Sequence, residues 1–155
     1  MIGMDLYREE ILEHWRNPQN FGELEKPDLV IEQVNSLCGD EVTFYFRLGN
    51  RKQETRDTKQ VTSNTKRKRV TSAELHVMDV RFTGSGCAIS MASASMLSEA
   101  IKGKSAKQIE KITGQDVLGL IGGEVAPARL KCAFLALEAL RKLPSSSLRA
   151  SRVNL

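Results

Sequence analysis

The sequence of 155 residues has no apolar run long enough to cross a bilayer, and its opening, MIGMDLYREEILEHW, carries acidic residues where a secretion signal needs an apolar block. A cytoplasmic protein with no membrane partner is expected. Cysteine is scarce: Cys38, Cys87 and Cys132 are an odd number in a chain with no export signal, which argues against a disulfide framework and predicts reduced, available thiols. No CxxC pair occurs, and the wide gaps between the three match no generic zinc finger. Histidine is scarcer still, and neither His14 nor His76 adjoins a cysteine, so both read as packing or surface residues. No internal repeat is present.

What is there fits one globular domain. With 41% hydrophobic and 27% charged residues the chain has enough apolar material for a core and no room for a second catalytic domain. The expected boundaries are 1–143 for a single domain, with an insert at 51–72 and a polar tail at 144–155. The net charge of +4 is concentrated: Arg51 to Ser72 holds eight Lys/Arg against two Asp/Glu, a local +6 that leaves −2 for the remainder. That insert has almost no large apolar residue with which to offset the entropy of ordering it, and reads as a solvated hairpin extension. No aromatic residue is interleaved for base stacking, which argues against a nucleic-acid partner.

The hydrophobic pattern gives an element order. DLYREEILEHWRNPQN places Leu6, Ile11, Leu12 and Trp15 at helical spacing, with Asp5 as N-cap and a stop at Asn17-Pro18. LVIEQVN, EVTFYFRL and ELHVMDVRFT are β-branched or aromatic runs, and Val42, Phe44, Phe46 and Leu48 share one face of the second. Three helices follow: SMASASMLSEAIKG, SAKQIEKITG with a Ser105/Gln108 capping box, and ARLKCAFLALEALRKL. Strands grouped before helices predict an α+β domain, a three-stranded antiparallel sheet packed against helices.

All three cysteines fall at element ends. Cys38 opens a strand in SLCGDEV, Cys87 sits at a strand-to-helix turn in GSGCAIS, and Cys132 lies near the start of the last helix in ARLKCAF. Helix starts carry unpaired N–H groups that favour thiolate, the form that binds metal or attacks sulfur. The glycines before Cys87 leave space around it, and the Ala and Ser after it allow close packing. Asp40, two residues after Cys38, adds a carboxylate. Three thiols and one oxygen make a four-ligand set for zinc or for cluster iron, although each cysteine taken singly also suits a small core position. Met91 and Met96 read as packing.

NPQNFG, CGDEVTF, VRFTGSGCAISMASASMLSEAIKGKS and PARLKCAFLALEAL are similar, in order and spacing, to the iron-sulfur cluster assembly scaffold family, the IscU/SufU type also found as the N-terminal domain of NifU. The resemblance covers Leu6 to Leu143 apart from the basic insert. It implies an α/β sandwich with a three-stranded sheet, and a protein that receives sulfur from a cysteine desulfurase and delivers an iron-sulfur cluster to apo-proteins. By the same resemblance Cys38, Asp40, Cys87 and Cys132 are the ligands and Cys132 is the sulfur acceptor. Lys131 stands where the IscU branch has a ligating histidine, and APARL replaces the chaperone-binding signal of that branch. PARxKCA instead resembles the SufU branch, in which zinc is bound and the protein is classed with sulfurtransferases, yet the extra segment of that branch is missing. Both a non-catalytic scaffold and a zinc-bound sulfur acceptor therefore remain as expectations.

Overall fold

Alternation along the second apolar run sets the sheet. In a computed structural model that describes residues 3–37, 39–50 and 75–143, β1 (Leu29–Asn35), β2 (Asp40–Asn50) and β3 (Leu75–Ser85) pair antiparallel in the order β1-β2-β3. Cys38, the insert 51–72 and the tail 144–155 lie outside the described residues. Ile31 faces Phe44, and Phe44 faces Phe82, so one row of large side chains runs across all three strands. The Phe44 ring lies 5.9 Å from that of Phe46 and 5.8 Å from that of Phe82. With Val42, Val77 and Val80 these rings are fully buried, each such side chain contributing about 1.5–3 kcal/mol over its exposed state. The intervening residues Glu41, Arg47 and Arg81 are exposed, as a sheet covered on one face requires. A register shift between Arg47 and Leu48 leaves Leu48 partly buried against the same core.

Helices α1 (Gly3–Arg16), α2 (Ala88–Ile101), α3 (Ala106–Glu110), α4 (Gly114–Leu120) and α5 (Leu130–Leu140) complete the described fold. Helices α2 and α5 lie side by side on the buried face of the sheet, α1 packs on α2, and α4 on α5. The three-stranded sheet and the α+β class agree with the sequence pattern. The Ser105/Gln108 capping box forms at α3. A second box, Thr113 with Asp116, opens α4, a helix the hydrophobic pattern did not reveal because GQDVLGL is short and holds two glycines.

Helix α1 corrects two expectations. Asp5 is inside the helix and not its N-cap, since the helix already includes Gly3. The stripe turned toward the rest of the fold is also offset from the expected one. Ile11 packs on the core cluster around Met96, Ile121 and Ala133, whereas Leu12 and Trp15 are exposed. The reason lies across the contact: the imidazole Nδ1 of His14 is 2.7 Å from the Ser95 hydroxyl, and that hydroxyl also accepts the Gln19 N–H at 2.7 Å. His14 is thus a packing residue, as its sequence context suggests. The chain after α1 then adds to the outer edge of β3. Asn20, in the left-handed region at φ 59°, accepts the Phe82 N–H at 2.9 Å, and the Gly22 N–H returns to the Phe82 carbonyl at 2.8 Å. This covers a strand edge that would otherwise be open.

Small residues let α2 approach its neighbours closely. Ala92 and Ala94 are fully buried, and the Ser93 hydroxyl donates to the Ala133 carbonyl of α5 at 2.7 Å. Met91 and Met96 belong to the two buried clusters, as packing residues should. No helix among the described residues is long and apolar enough to cross a membrane.

Asn50 of β2 and Leu75 of β3 are directly paired, so residues 51–74 are the connection of a hairpin. Replacing them by Asn-Gly, the two-residue turn suited to directly opposed strand ends, should leave thermal stability within about 1 kcal/mol of the parent. A larger loss in a melting experiment would show that the insert packs on the domain.

Candidate metal centre

The strand pair β2–β3 delivers the site. Glu41 opposes Ser85, so the first residue of β2 and the residues just past the end of β3 meet at one end of the sheet. Asp40 is the first residue of β2, Cys87 the N-cap of α2, and Cys132 lies in the first turn of α5. One donor atom from each of Asp40, Cys87 and Cys132 lies within 4.8 Å of the others. Two sulfur donors on one tetrahedral zinc, each bonded at about 2.3 Å, stand about 3.8 Å apart, roughly 1 Å closer than the widest spacing here. The three groups are therefore within a small side-chain adjustment of ligation. The structure brings together three of the four residues singled out in the sequence; the fourth, Cys38, lies outside the described residues.

Burial differs across the three. Asp40 and Cys132 are each 6% exposed, whereas Cys87 is half-buried and so the more open of the two thiols. Oδ2 of Asp40 is buried and has no hydrogen-bond partner among the described residues. Leaving a buried acceptor unpaired costs on the order of 1–3 kcal/mol, and more for a charged group. A fold that retains such an atom beside two thiols has the arrangement expected of a cation site.

Backbone and neighbours act on Cys87. It caps α2 with φ −70° and ψ 167°, and its sulfur makes no short capping bond, but the first-turn N–H groups present their positive ends to it. Burial raises the Cys87 thiol, yet the Ser90 N–H, the Ser90 hydroxyl, the Cys132 thiol and the Ile89 N–H together outweigh it and hold Cys87 below the ordinary thiol value. Favouring thiolate in this way favours metal binding and sulfur chemistry alike.

Glycine supplies the room. A Cβ on Gly86 would stand 2.5 Å from the Ser90 hydroxyl oxygen, 2.9 Å from Cγ of Asp40 and 3.1 Å from its Oδ1. A Cβ on Gly84 would stand 2.5 Å from the Glu41 carbonyl oxygen. Both glycines of GSGC are thus required by close approach at the strand ends. Two thiols and a carboxylate fit zinc or cluster iron by donor type as well as by spacing. Lys131 and Arg129, beside Cys132 in sequence, are exposed. Ser90 carried no functional expectation from sequence; only its place three residues after Cys87, one helical turn on, could have pointed to it.

A three-stranded antiparallel sheet under two helices, with thiol and carboxylate donors gathered at its end, defines a small α+β domain with a candidate metal centre. The model of the NifU-like N terminal domain matches residues 6–66 and 65–145, and the chain belongs to that family. The zinc-dependent sulfurtransferase SufU of Bacillus subtilis is 33% identical over 154 residues, covering 88% of each chain. The iron-sulfur cluster assembly scaffold protein IscU 1 of Archaeoglobus fulgidus is 29% identical over 137 residues, covering 88% of this chain and 73% of that one. Among solved structures, a protein of Fervidobacterium islandicum AW-1, described as a candidate iron-sulfur cluster assembly scaffold of the SUF system, superimposes with a TM-score of 0.62 at 25% identity over 85% of this chain and 91% of that one. The fold expected from the sequence resemblance is the fold observed.

Asp40→Ala should make the metal-free protein as stable as the parent or up to about 1–3 kcal/mol more stable, since it removes an unpaired buried acceptor. The same variant should show a smaller rise in melting temperature on adding zinc than the parent does. Destabilisation of the metal-free variant by more than about 1 kcal/mol, beyond the centre of the point-mutation range, would mean that the carboxylate is paired.

Proposed function

We propose that this protein is an iron-sulfur cluster assembly scaffold that receives sulfur from a cysteine desulfurase and holds iron or a cluster for delivery to apo-proteins. The observation that carries this is the convergence of Asp40, Cys87 and Cys132, with a buried carboxylate oxygen that has no partner among the described residues, in a chain of the NifU-like family. These three residues would hold the cargo, and Cys38, two residues before Asp40 in sequence, is proposed as the remaining thiolate. Asp40 offers the harder and more exchangeable donor, the link at which an acceptor's thiolate displaces a ligand. Bound iron or zinc would keep the thiolates deprotonated.

Cys132 is proposed as the sulfur acceptor. Its thiolate attacks the outer sulfur of the desulfurase persulfide; the old S–S bond breaks, the desulfurase cysteine leaves as thiolate, and Cys132 becomes the persulfide. Cys87, hydrogen-bonded to Cys132, keeps the received sulfur beside the second thiol of the same centre.

A second function is favoured by one specific observation, the match to the zinc-dependent sulfurtransferase at 33% identity over 88% of both chains. In it zinc is resident and the protein activates a desulfurase by accepting its sulfur. Metal analysis of purified protein and anaerobic reconstitution with ferrous iron and sulfide separate the two. A scaffold gives a visible iron-sulfur spectrum that decays as an apo-ferredoxin is loaded; a resident-zinc acceptor keeps zinc and stays colourless.

With desulfurase and cysteine, Cys132→Ser should carry no persulfide by mass spectrometry, because an alkoxide does not replace a thiolate in sulfur exchange. Persulfide on that variant at the parent's level would assign acceptance to another cysteine.

A further inference from the structure

Ser90 is the buried polar residue beside the site for which neither family membership nor the proposed function provides a role. It lies in the first turn of α2, 1% exposed, and its hydroxyl donates to the Cys87 carbonyl at 3.0 Å. The same oxygen is 3.6 Å from Cys87 Sγ, with either atom able to donate. Gly86 creates the space that this hydroxyl occupies, since a Cβ there would stand 2.5 Å from it. Asp40 borders the same gap, with Cγ 2.9 Å from that Cβ position.

The other buried hydroxyls of α2 fasten helices and loops. Ser93 bonds Ala133 of α5, Ser95 bonds His14 and Gln19, and Ser98 bonds the Ser95 carbonyl at 2.6 Å and accepts from Asn20 at 3.0 Å. Ser90 differs in facing a sulfur. A hydroxyl has one proton and two lone pairs. While Cys87 is a thiol, its S–H can donate to Ser90 and the Ser90 proton can stay on the Cys87 carbonyl. Once the sulfur is a ligating thiolate it can only accept, and rotation of the Ser90 hydroxyl supplies a donor without any backbone movement.

We propose that Ser90 is a positioning residue that donates a hydrogen bond to the ligating sulfur of Cys87, fixing its direction and withdrawing charge from it. This rests on the metal-binding role proposed above for Cys87. Hydrogen bonds to ligating sulfurs tune potential and affinity, and loss of such a partner typically weakens metal binding about 10–100-fold.

Cobalt(II) titration of the full chain tests it, read by the sulfur-to-cobalt charge-transfer band and by competition with a chelator, for the parent, Ser90→Ala and Ser98→Ala. Alanine keeps helix propensity and removes one oxygen, and Ser98→Ala removes an equally buried hydroxyl of the same helix that faces no sulfur. In Ser90→Ala the band should move to longer wavelength, because the sulfur regains charge, and affinity should fall about tenfold or more; Ser98→Ala should match the parent in both. An unmoved band in Ser90→Ala, with or without weaker binding, overturns the proposal, as does the same shift in Ser98→Ala. A parent that takes up no cobalt overturns the metal-site assignment and this inference with it.

Discussion

The pairing of the start of β2 with the end of β3 is the constraint on which the site depends. It brings Asp40 to Gly86 and Cys87 across a long stretch of sequence, because Glu41 opposes Ser85 and Val42 opposes Gly84. The register is held by burial: a slip of one residue would turn Val42, Phe44 and Phe46 to the outer face and expose the core. Gly84 and Gly86 then let backbone and side chains approach where a Cβ would collide. Helix α5, seated on the same sheet, brings Cys132 to the end of that strand pair. The geometry of a sulfur centre is thus a by-product of ordinary β packing, refined by two glycines.

The site costs stability. Asp40 Oδ2 is buried with no partner among the described residues, beside two thiols, one of them biased toward thiolate, while α2 and α5 around them are closely packed. A ligand bound by Asp40, Cys87 and Cys132 would tie β2, α2 and α5 together and offset that cost, so binding and local order are linked. The hydroxyl of Ser93 ties α2 to α5 beside Cys132, and those of Ser95 and Ser98 tie α2 to α1 and the segment after it.

Much of this was legible in the sequence, and for physical reasons. LVIEQVN is β1 from end to end, and the alternation of Val42, Phe44 and Phe46 announces a half-buried strand because one face of a sheet must be apolar. Cys87 and Cys132 stand at helix starts as read, since glycine and proline mark those ends. Helix α4 was missed because its apolar content is slight and its signal, the Thr113–Asp116 box, is local. The inward face of α1 was misplaced because hydrophobicity alone favours Trp15 over His14, and only the Ser95 hydroxyl on the neighbouring helix makes the imidazole the better inward residue. Ser90 was silent because a serine inside a run of small residues carries no periodic signal.

The account stands or falls on Asp40, Cys87 and Cys132 binding one ion. X-ray absorption at the zinc edge of zinc-loaded protein measures that directly. A mixed shell is predicted, dominated by sulfur at about 2.3 Å with one oxygen at about 2.0–2.2 Å, the oxygen being lost in Asp40→Ala. A shell of nitrogen and oxygen alone, or one unchanged by Asp40→Ala, would contradict it.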